Sequence, residues 1–205
     1  SAFSFHETKN IISGEGGMLC INDEKYNERA EIIREKGTNR SQFFRGEVDK
    51  YGWMDIGSSF LPSDIIAAFL YAQLEKMDII QTQRKRIWDK YMEALSPLKK
   101  YQIQLPEIPT YATNNAHMFY LVCTTLAQRT KLIEYLKSVG IYAVFHYQSL
   151  HKSAYYAQQY VGHDLPQSDR YTDCLVRLPF YYELTDDHQS YIIEHVKRFF
   201  IENLN

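Results

Sequence analysis

Cysteine, net charge and long apolar runs are all scarce in this sequence, and each shortage removes a class of protein. Cys20, Cys123 and Cys174 are odd in number and form no CxxC pair. Neither a disulfide framework nor zinc is indicated, and the thiols read as reduced core or surface groups. The 23 Lys and Arg stand against 25 Asp and Glu, a formal charge of -2. Without a clustered excess of cations there is no field to hold a phosphate backbone, so no nucleic-acid partner is expected. No stretch reaches the roughly 18 consecutive apolar residues of a membrane span, and Ser1-Ala2-Phe3-Ser4-Phe5-His6 lacks the basic start of a secretory signal. The expectation is a soluble, cytoplasmic protein with no membrane partner. Gly14-Glu15-Gly16-Gly17 does not fit GxGxxG and precedes a strand pattern rather than a helix, which leaves a dinucleotide site or P-loop unsupported.

What is present suffices for one or two folded domains: 205 residues, 45% of them hydrophobic. The 17 Tyr and 11 Phe imply much packed surface, in a large core or in an interface and polar-tipped pocket walls. The alternation of Phe3 and Phe5 with Ser4, His6 and Thr8 has the period of a strand or extended loop. A domain seldom opens in the middle of such a pattern, so a preceding segment is expected. After the glycine turn, Met18-Leu19-Cys20-Ile21 reads as a short buried strand. From Glu24 to Lys36, Tyr26, Ala30 and Ile33 make a helical stripe, with Gly37 at the place of a left-handed C-cap. Residues 38–62 hold no period but gather polar residues, Trp53 and the Gly57-Ser58-Ser59 turn, the mark of a functional or swapped loop.

Ser63 caps a helical pattern that runs to Pro97 and would be about 50 Å long if unbroken. It is expected to span two domains or to bend near Asp78, with a boundary in the Leu98 to Tyr111 segment. Beyond come a strand (His117 to Cys123), a helix (Leu126 to Val139) closed by Gly140, a strand (Ile141 to Tyr147), helical stretches (Lys152 to Tyr160 and Ser168 to Leu175) and a last helix (Asp186 to Leu204). Together these predict an α/β layer arrangement. His146 and His151 lack the spacing of metal ligands. His188 and His195 fall in an amphipathic helix, where a solvated face is the default.

Lys9 follows the polar face of Ser4, His6 and Thr8 and precedes Asn10 and a glycine turn. Local spacing leaves it open between an exposed lysine and a nucleophile for carbonyl condensation, which needs an amine freed of its proton by desolvation or a neighbouring cation. A serine hydroxyl and glycine-turn amides beside it would suit a phosphate.

Ser4-Phe5-His6-Glu7-Thr8-Lys9-Asn10 followed by Gly14-Glu15-Gly16-Gly17 resembles the lysine motif of the DegT/DnrJ/EryC1/StrS sugar aminotransferases, which use pyridoxal 5'-phosphate (PLP). Arg34-Glu35-Lys36-Gly37-Thr38-Asn39-Arg40, the Phe43 to Tyr51 stretch and Asp55-Ile56-Gly57-Ser58-Ser59-Phe60-Leu61-Pro62-Ser63 resemble a branch of that family that aminates dTDP-linked 4-keto-6-deoxyhexoses for cell-surface polysaccharide. His146-Tyr147, Leu150-His151, Tyr155-Tyr156 and Leu178-Pro179 are similar to the family's smaller domain. The resemblance implies the fold class: an α/β chain made of the end of a type I PLP-dependent aminotransferase large domain with a long connecting helix (1–97) and a small α/β domain (98–205).

By the same resemblance, Lys9 would bind the cofactor covalently and shuttle a proton between the donor's Cα and the cofactor. Ser4 would hydrogen-bond the cofactor phosphate. Ser59 stands where many members place an Asn that reaches the phosphate from the partner subunit. His151 and Tyr147 match positions near the sugar. Family dehydratases carry His where Lys9 stands, so the lysine favours amino transfer. The implied donor is glutamate, the substrate a nucleotide sugar and the assembly a homodimer. The family's acidic partner of the pyridine nitrogen, its main phosphate loop and its stacked aromatic have no counterpart here. This chain alone is therefore expected to be an inactive fragment of a longer enzyme. The alternatives are a non-catalytic module that self-associates or binds a sugar nucleotide, and an aminotransferase for another nucleotide ketosugar.

Overall fold

In the computed structural model, which describes residues 1–202, the alternating amino end forms β1 (Ala2–Ser4). It pairs antiparallel with β2 (Gly17–Leu19), Ala2 opposite Leu19 and Ser4 opposite Gly17. The expected burial of the Met18 run is not observed: Met18 and Leu19 are exposed, because a two-stranded ribbon buries little by itself. Asp23 caps a 3-10 turn by accepting from the Lys25 N–H at 3.2 Å, and α1 (Asn27–Arg34) follows. Lys36 and Gly37 both have positive φ, and the Gly37 N–H donates to the Ile32 carbonyl at 2.8 Å. This is the predicted glycine stop. Ala30 and Ile33 of the expected stripe are half-buried, while Tyr26 is exposed. The 38–62 segment contains the short helix α2 (Arg40–Phe44).

The periodic stretch after Ser63 is two helices, not one rod. The Ser63 hydroxyl accepts from the Ile66 N–H at 3.3 Å and starts α3 (Asp64–Glu75), which buries no side chain; after Lys76 comes α4 (Met77–Leu95). The chain divides into compact units at Asp78, where the sequence pattern predicts a bend. No domain boundary appears at 97/98. Pro97 lies inside a 3-10 turn, Ser96–Tyr101, and Leu98, Ile103 and Leu105 share one core with Ile87, Tyr91 and Leu95 of α4. The segment that reads as a linker carries apolar side chains that belong to the second unit.

From Ile79 on, the chain builds β3 (Tyr120–Val122), α5 (Leu126–Ser138), β4 (Val144–Phe145), α6 (Pro166–Cys174), β5 (Leu175–Arg177) and α7 (Asp186–Glu202). The sheet order is β3-β5-β4, with both pairings antiparallel: Arg177 stands opposite Tyr120 on one side and Val144 on the other. The mixed α/β class predicted from the sequence is the one observed, although β5 replaces the end of the helix expected to run to Leu175. Lys152 to Tyr160 is not a helix. Only Leu150–Lys152 forms a 3-10 turn, and turns follow, since this aromatic segment has no buried stripe to dock. The expected end of the last helix at Leu204 lies outside the described residues.

His195 corrects another expectation: it is buried, and its Nδ1 is 2.9 Å from the Tyr135 hydroxyl. Two other polar side chains of this core reach backbone carbonyls. Arg84 donates to the Ala116 and His117 carbonyls at 3.1 and 2.5 Å, and the Gln189 amide to the Ile87 carbonyl at 2.7 Å. Among the described residues no helix is long and apolar enough to cross a membrane.

Candidate functional site

The hairpin at the amino end holds Lys9 on a turn fixed from both sides. The Phe5 N–H donates to the Gly16 carbonyl at 2.8 Å, the Glu7 N–H to Gly14 at 2.9 Å, the Ser13 N–H to Phe5 at 2.7 Å and the Lys9 N–H to His6 at 2.9 Å. Side chains add to this. His6 Nδ1 accepts from the Thr8 N–H at 3.2 Å, which leaves the ring proton on Nε2, 3.5 Å from Glu15 Oε1. The Ser13 hydroxyl donates to the Glu15 carbonyl at 2.8 Å. Within this frame the Lys9 side chain is exposed, and among the described residues its amine has no hydrogen bond or ion pair.

Ser4 shares the hairpin. Its Oγ accepts from the His6 N–H at 3.3 Å, so its own hydrogen is left to donate outward. The pair can offer an amine with no ion-pair partner among the described residues and a hydroxyl donor for an anionic oxygen. These are the groups that a carbonyl compound bearing a phosphate requires, and both lie within one motif of the sequence.

Ser59 lies elsewhere in the first unit. Its segment is laced along the end of α1: the Ser58 N–H donates to Ile33 at 3.0 Å, the Lys36 N–H to Ser58 at 3.1 Å and the Phe60 N–H to Arg34 at 3.1 Å, with Ser59 bridged to Glu35. The Ser59 side chain is exposed. The close approach depends on glycine, because a Cβ on Gly57 would lie 2.1 Å from the Gly37 nitrogen. That need for Gly57 explains why the turn read from the sequence is there.

His151 and Tyr147 belong to one loop of the second unit, pinned against α6. The Thr172 hydroxyl donates to the Tyr147 carbonyl at 3.3 Å and lies 2.8 Å from Ser149 Oγ, which accepts from Ser168 at 3.2 Å. The His151 side chain is 9% exposed, its Nε2 is 3.4 Å from Asp169 Oδ1, and its ring lies 5.3 Å from that of Tyr160. His151 Nε2 and Asp169 Oδ1 make no well-formed hydrogen bond, and both atoms are buried. Asp169 also takes the Lys152 ammonium at 2.7 Å, and that hydrogen bond holds its carboxyl below the ordinary range. Asp169 thus stays ionised beside the imidazole. Tyr147 is 73% exposed, with its ring 5.0 Å from the ring of His146.

Asp169, Ser149 and Thr172 were not singled out by sequence reasoning. The i, i+3 spacing of Asp169 and Thr172 marks one polar face of α6, but nothing local says which loop that face holds.

The sequence pattern of the DegT/DnrJ/EryC1/StrS aminotransferase family matches residues 1–197. A protein of Methanocaldococcus jannaschii is 29% identical over 211 residues, covering 99% of this chain and 54% of the relative. Among solved structures, the aminotransferase TlmJ of Streptoalloteichus hindustanus superposes with a TM-score of 0.84 at 23% identity, over 100% of this chain and 52% of TlmJ. A Streptococcus pneumoniae protein described as a sugar aminotransferase and solved in its PLP form gives a TM-score of 0.82 at 24% identity, over 100% of this chain and 52% of its own. The chain spans about half the length of these relatives.

Proposed function

The chain belongs to the DegT/DnrJ/EryC1/StrS aminotransferase family, and from that premise we propose that it is part of a PLP-dependent enzyme that moves an amino group from glutamate to a nucleotide-linked ketosugar. The observation that carries this reading is Lys9: an amine with no ion pair among the described residues, on a turn fixed by backbone hydrogen bonds and inside the family's lysine motif. When bound, the cofactor supplies an electron sink that stabilises negative charge at the donor's α-carbon.

The chain's own residues do the rest. Lys9 would hold the cofactor through its Nζ and, once released, would carry the proton from the donor's Cα to the cofactor's C4′ carbon, covalent and acid–base roles in one group. Lysine rather than histidine at this place favours amino transfer over dehydration. Ser4 donates its free hydroxyl hydrogen to the cofactor phosphate. His151, which lies beside Asp169, and the exposed Tyr147 ring contact the sugar.

Ser59 is proposed to reach the phosphate site of a second copy in a homodimer. Trp53, Ile56 and Ile65 of the first unit, 85, 90 and 83% exposed, support an interface there. The substrate proposed is a dTDP-linked 4-keto-6-deoxyhexose, on the strength of the Gly57 to Ser63 resemblance. A clear preference for UDP ketosugars in side-by-side assays would replace it.

Because the relatives are about twice as long, the test uses the intact polypeptide that contains this sequence. The 205-residue chain alone is proposed to have little or no turnover. Borohydride reduction in the presence of PLP is expected to place the cofactor's mass on Lys9, and Lys9→Ala is expected to abolish amino transfer. A Lys9→Ala protein with unchanged turnover rejects the mechanism.

A further inference from the structure

Cys123 and Cys174 are free thiols, 1% and 6% exposed, and both lie in the core of the second unit. The register of β3 on β5 sets Val122 opposite Leu175, and one step further sets Cys123 opposite Cys174, where the Cys123 N–H donates to the Cys174 carbonyl at 2.9 Å. The backbone groups of Val122 turn the other way, its N–H and carbonyl meeting those of Gln104 at 2.9 and 3.1 Å, so Cys123 and Cys174 form a hydrogen-bonded pair. In such a pair the α-carbons stand about 5.5 Å apart, inside the roughly 4.4–6.8 Å that a disulfide spans.

The fit is close but not free. The β-carbons of directly opposed residues lie about 4.5–5.5 Å apart, whereas a disulfide holds them near about 3.8 Å, so forming the bond draws the two segments together by about 1 Å. A bond made under that strain is readily reduced, which suits a reversible link rather than a permanent staple. Cys174 is the last residue of α6, where the helix passes into β5. That helix also carries Ser168 and Thr172, which hold the loop of Tyr147 and His151 through Ser149 and the Tyr147 carbonyl. A pull on the end of α6 is therefore passed to loop 147–151.

Burial raises both thiols, Cys123 up to about 12, and keeps them reduced at neutral pH. The Arg129 guanidinium acts the other way on both; its Nε donates to the Asp173 carbonyl at 2.8 Å, beside Cys174. The more exposed Cys174 is thus the first sulfur that an oxidant meets, with Cys123 behind it.

We propose that Cys123 and Cys174 form a reversible disulfide, with a small-molecule disulfide as the oxidant, and that closing it displaces loop 147–151. The Cys174 thiolate attacks one sulfur of the oxidant, whose S–S bond breaks as a mixed disulfide forms and one small thiol leaves. The Cys123 thiolate then attacks the Cys174 sulfur and expels the second small thiol. Two protein thiols lose two electrons, the oxidant is reduced to two thiols, and those take up the two protons. The disulfide stands apart from the aminotransferase reading; only its effect on sugar binding rests on that reading.

The test equilibrates the 205-residue chain, carrying Cys20→Ser, with mixtures of oxidised and reduced glutathione and maps the cysteines by mass spectrometry after acid quenching. Peptides of Cys123 and Cys174 are expected to be joined with the loss of two hydrogens, and dithiothreitol should separate them. The Tyr147 and His151 amide signals in NMR should shift on oxidation and return on reduction, and should stay fixed in Cys123→Ala and Cys174→Ala under the same mixtures. Thiols that remain unlinked in oxidised glutathione, glutathione adducts with no link between the two cysteines, or a link that leaves the loop signals in place would each overturn the proposal. The chain with both cysteines decides this even if the alanine variants do not fold. In the intact enzyme, oxidation should raise KM for the ketosugar several-fold and Cys174→Ala should abolish that response; an unchanged KM in fully linked enzyme rejects the effect on sugar binding. Failure to trap PLP on Lys9 would instead reject the aminotransferase reading and leave the disulfide to be judged on the chain.

Discussion

Gly37 has no room for a methyl group. A Cβ there would stand 1.8 Å from the Asp55 carbonyl oxygen, and its φ of 77° is one that L side chains rarely adopt. Its N–H closes α1 and its carbonyl accepts from the Met54 N–H at 2.7 Å and the Asp55 N–H at 3.1 Å. Gly37→Ala is expected to cost about 2 kcal/mol or more of local stability, combining backbone strain with a backbone clash. Hydrogen exchange should show faster amides at Ser58 and Phe60, and unchanged protection there would refute the role given to this glycine. The sequence alone marks Gly37 as a helix stop, because a C-cap is set by a few neighbouring residues. It cannot show the contact with Asp55, which depends on where the chain returns. Lys9 and Ser4 are legible for the first reason, lying in one contiguous motif. The pairing of Cys123 with Cys174 is hidden for the second, since the two meet only when β3 and β5 are in register.

Helix ends follow the same logic. Thr125 accepts from the Gln128 N–H at 3.1 Å at the start of α5, and the Gln128 side chain accepts back from the Thr124 N–H at 2.9 Å. Thr125→Ala is expected to destabilise the second unit by about 1 kcal/mol, the usual worth of an N-cap. A denaturant midpoint equal to that of the unmutated chain would contradict it. Leu132 and Leu136 of this helix are fully buried, and Gly140, which the sequence marks as its close, follows with positive φ. Strands are less legible. The start of β5 reads as the tail of a helix because Tyr171, Cys174 and Leu175 suit a helical stripe as well as a strand edge. Pairing on both sides settles the conformation, with Val176 buried between Leu121 and Phe145 in register.

Every buried hydrophobic side chain among the described residues lies between Ile80 and Phe200. The first unit has helices, caps and a hairpin but no apolar interior of its own, while the second has a core that includes Tyr91, Phe119, Val196 and Phe200. Burial of apolar area is the main force holding a domain together. In the 205-residue chain, amides of α5 and α7 are therefore expected to exchange far more slowly than those of α3. Equal protection of α3 and α7 would overturn that division. By itself the sequence determined the helix caps and stops, the mixed class and the lysine motif, because each is written in residues within a turn or two of one another. The tertiary structure alone decided that Leu98, Ile103 and Leu105 join the core, that His195 is buried, that β5 is the central strand, and that the Arg177 Nε is buried without a partner among the described residues. These outcomes are sums over contacts between distant parts of the chain, and no local pattern carries them.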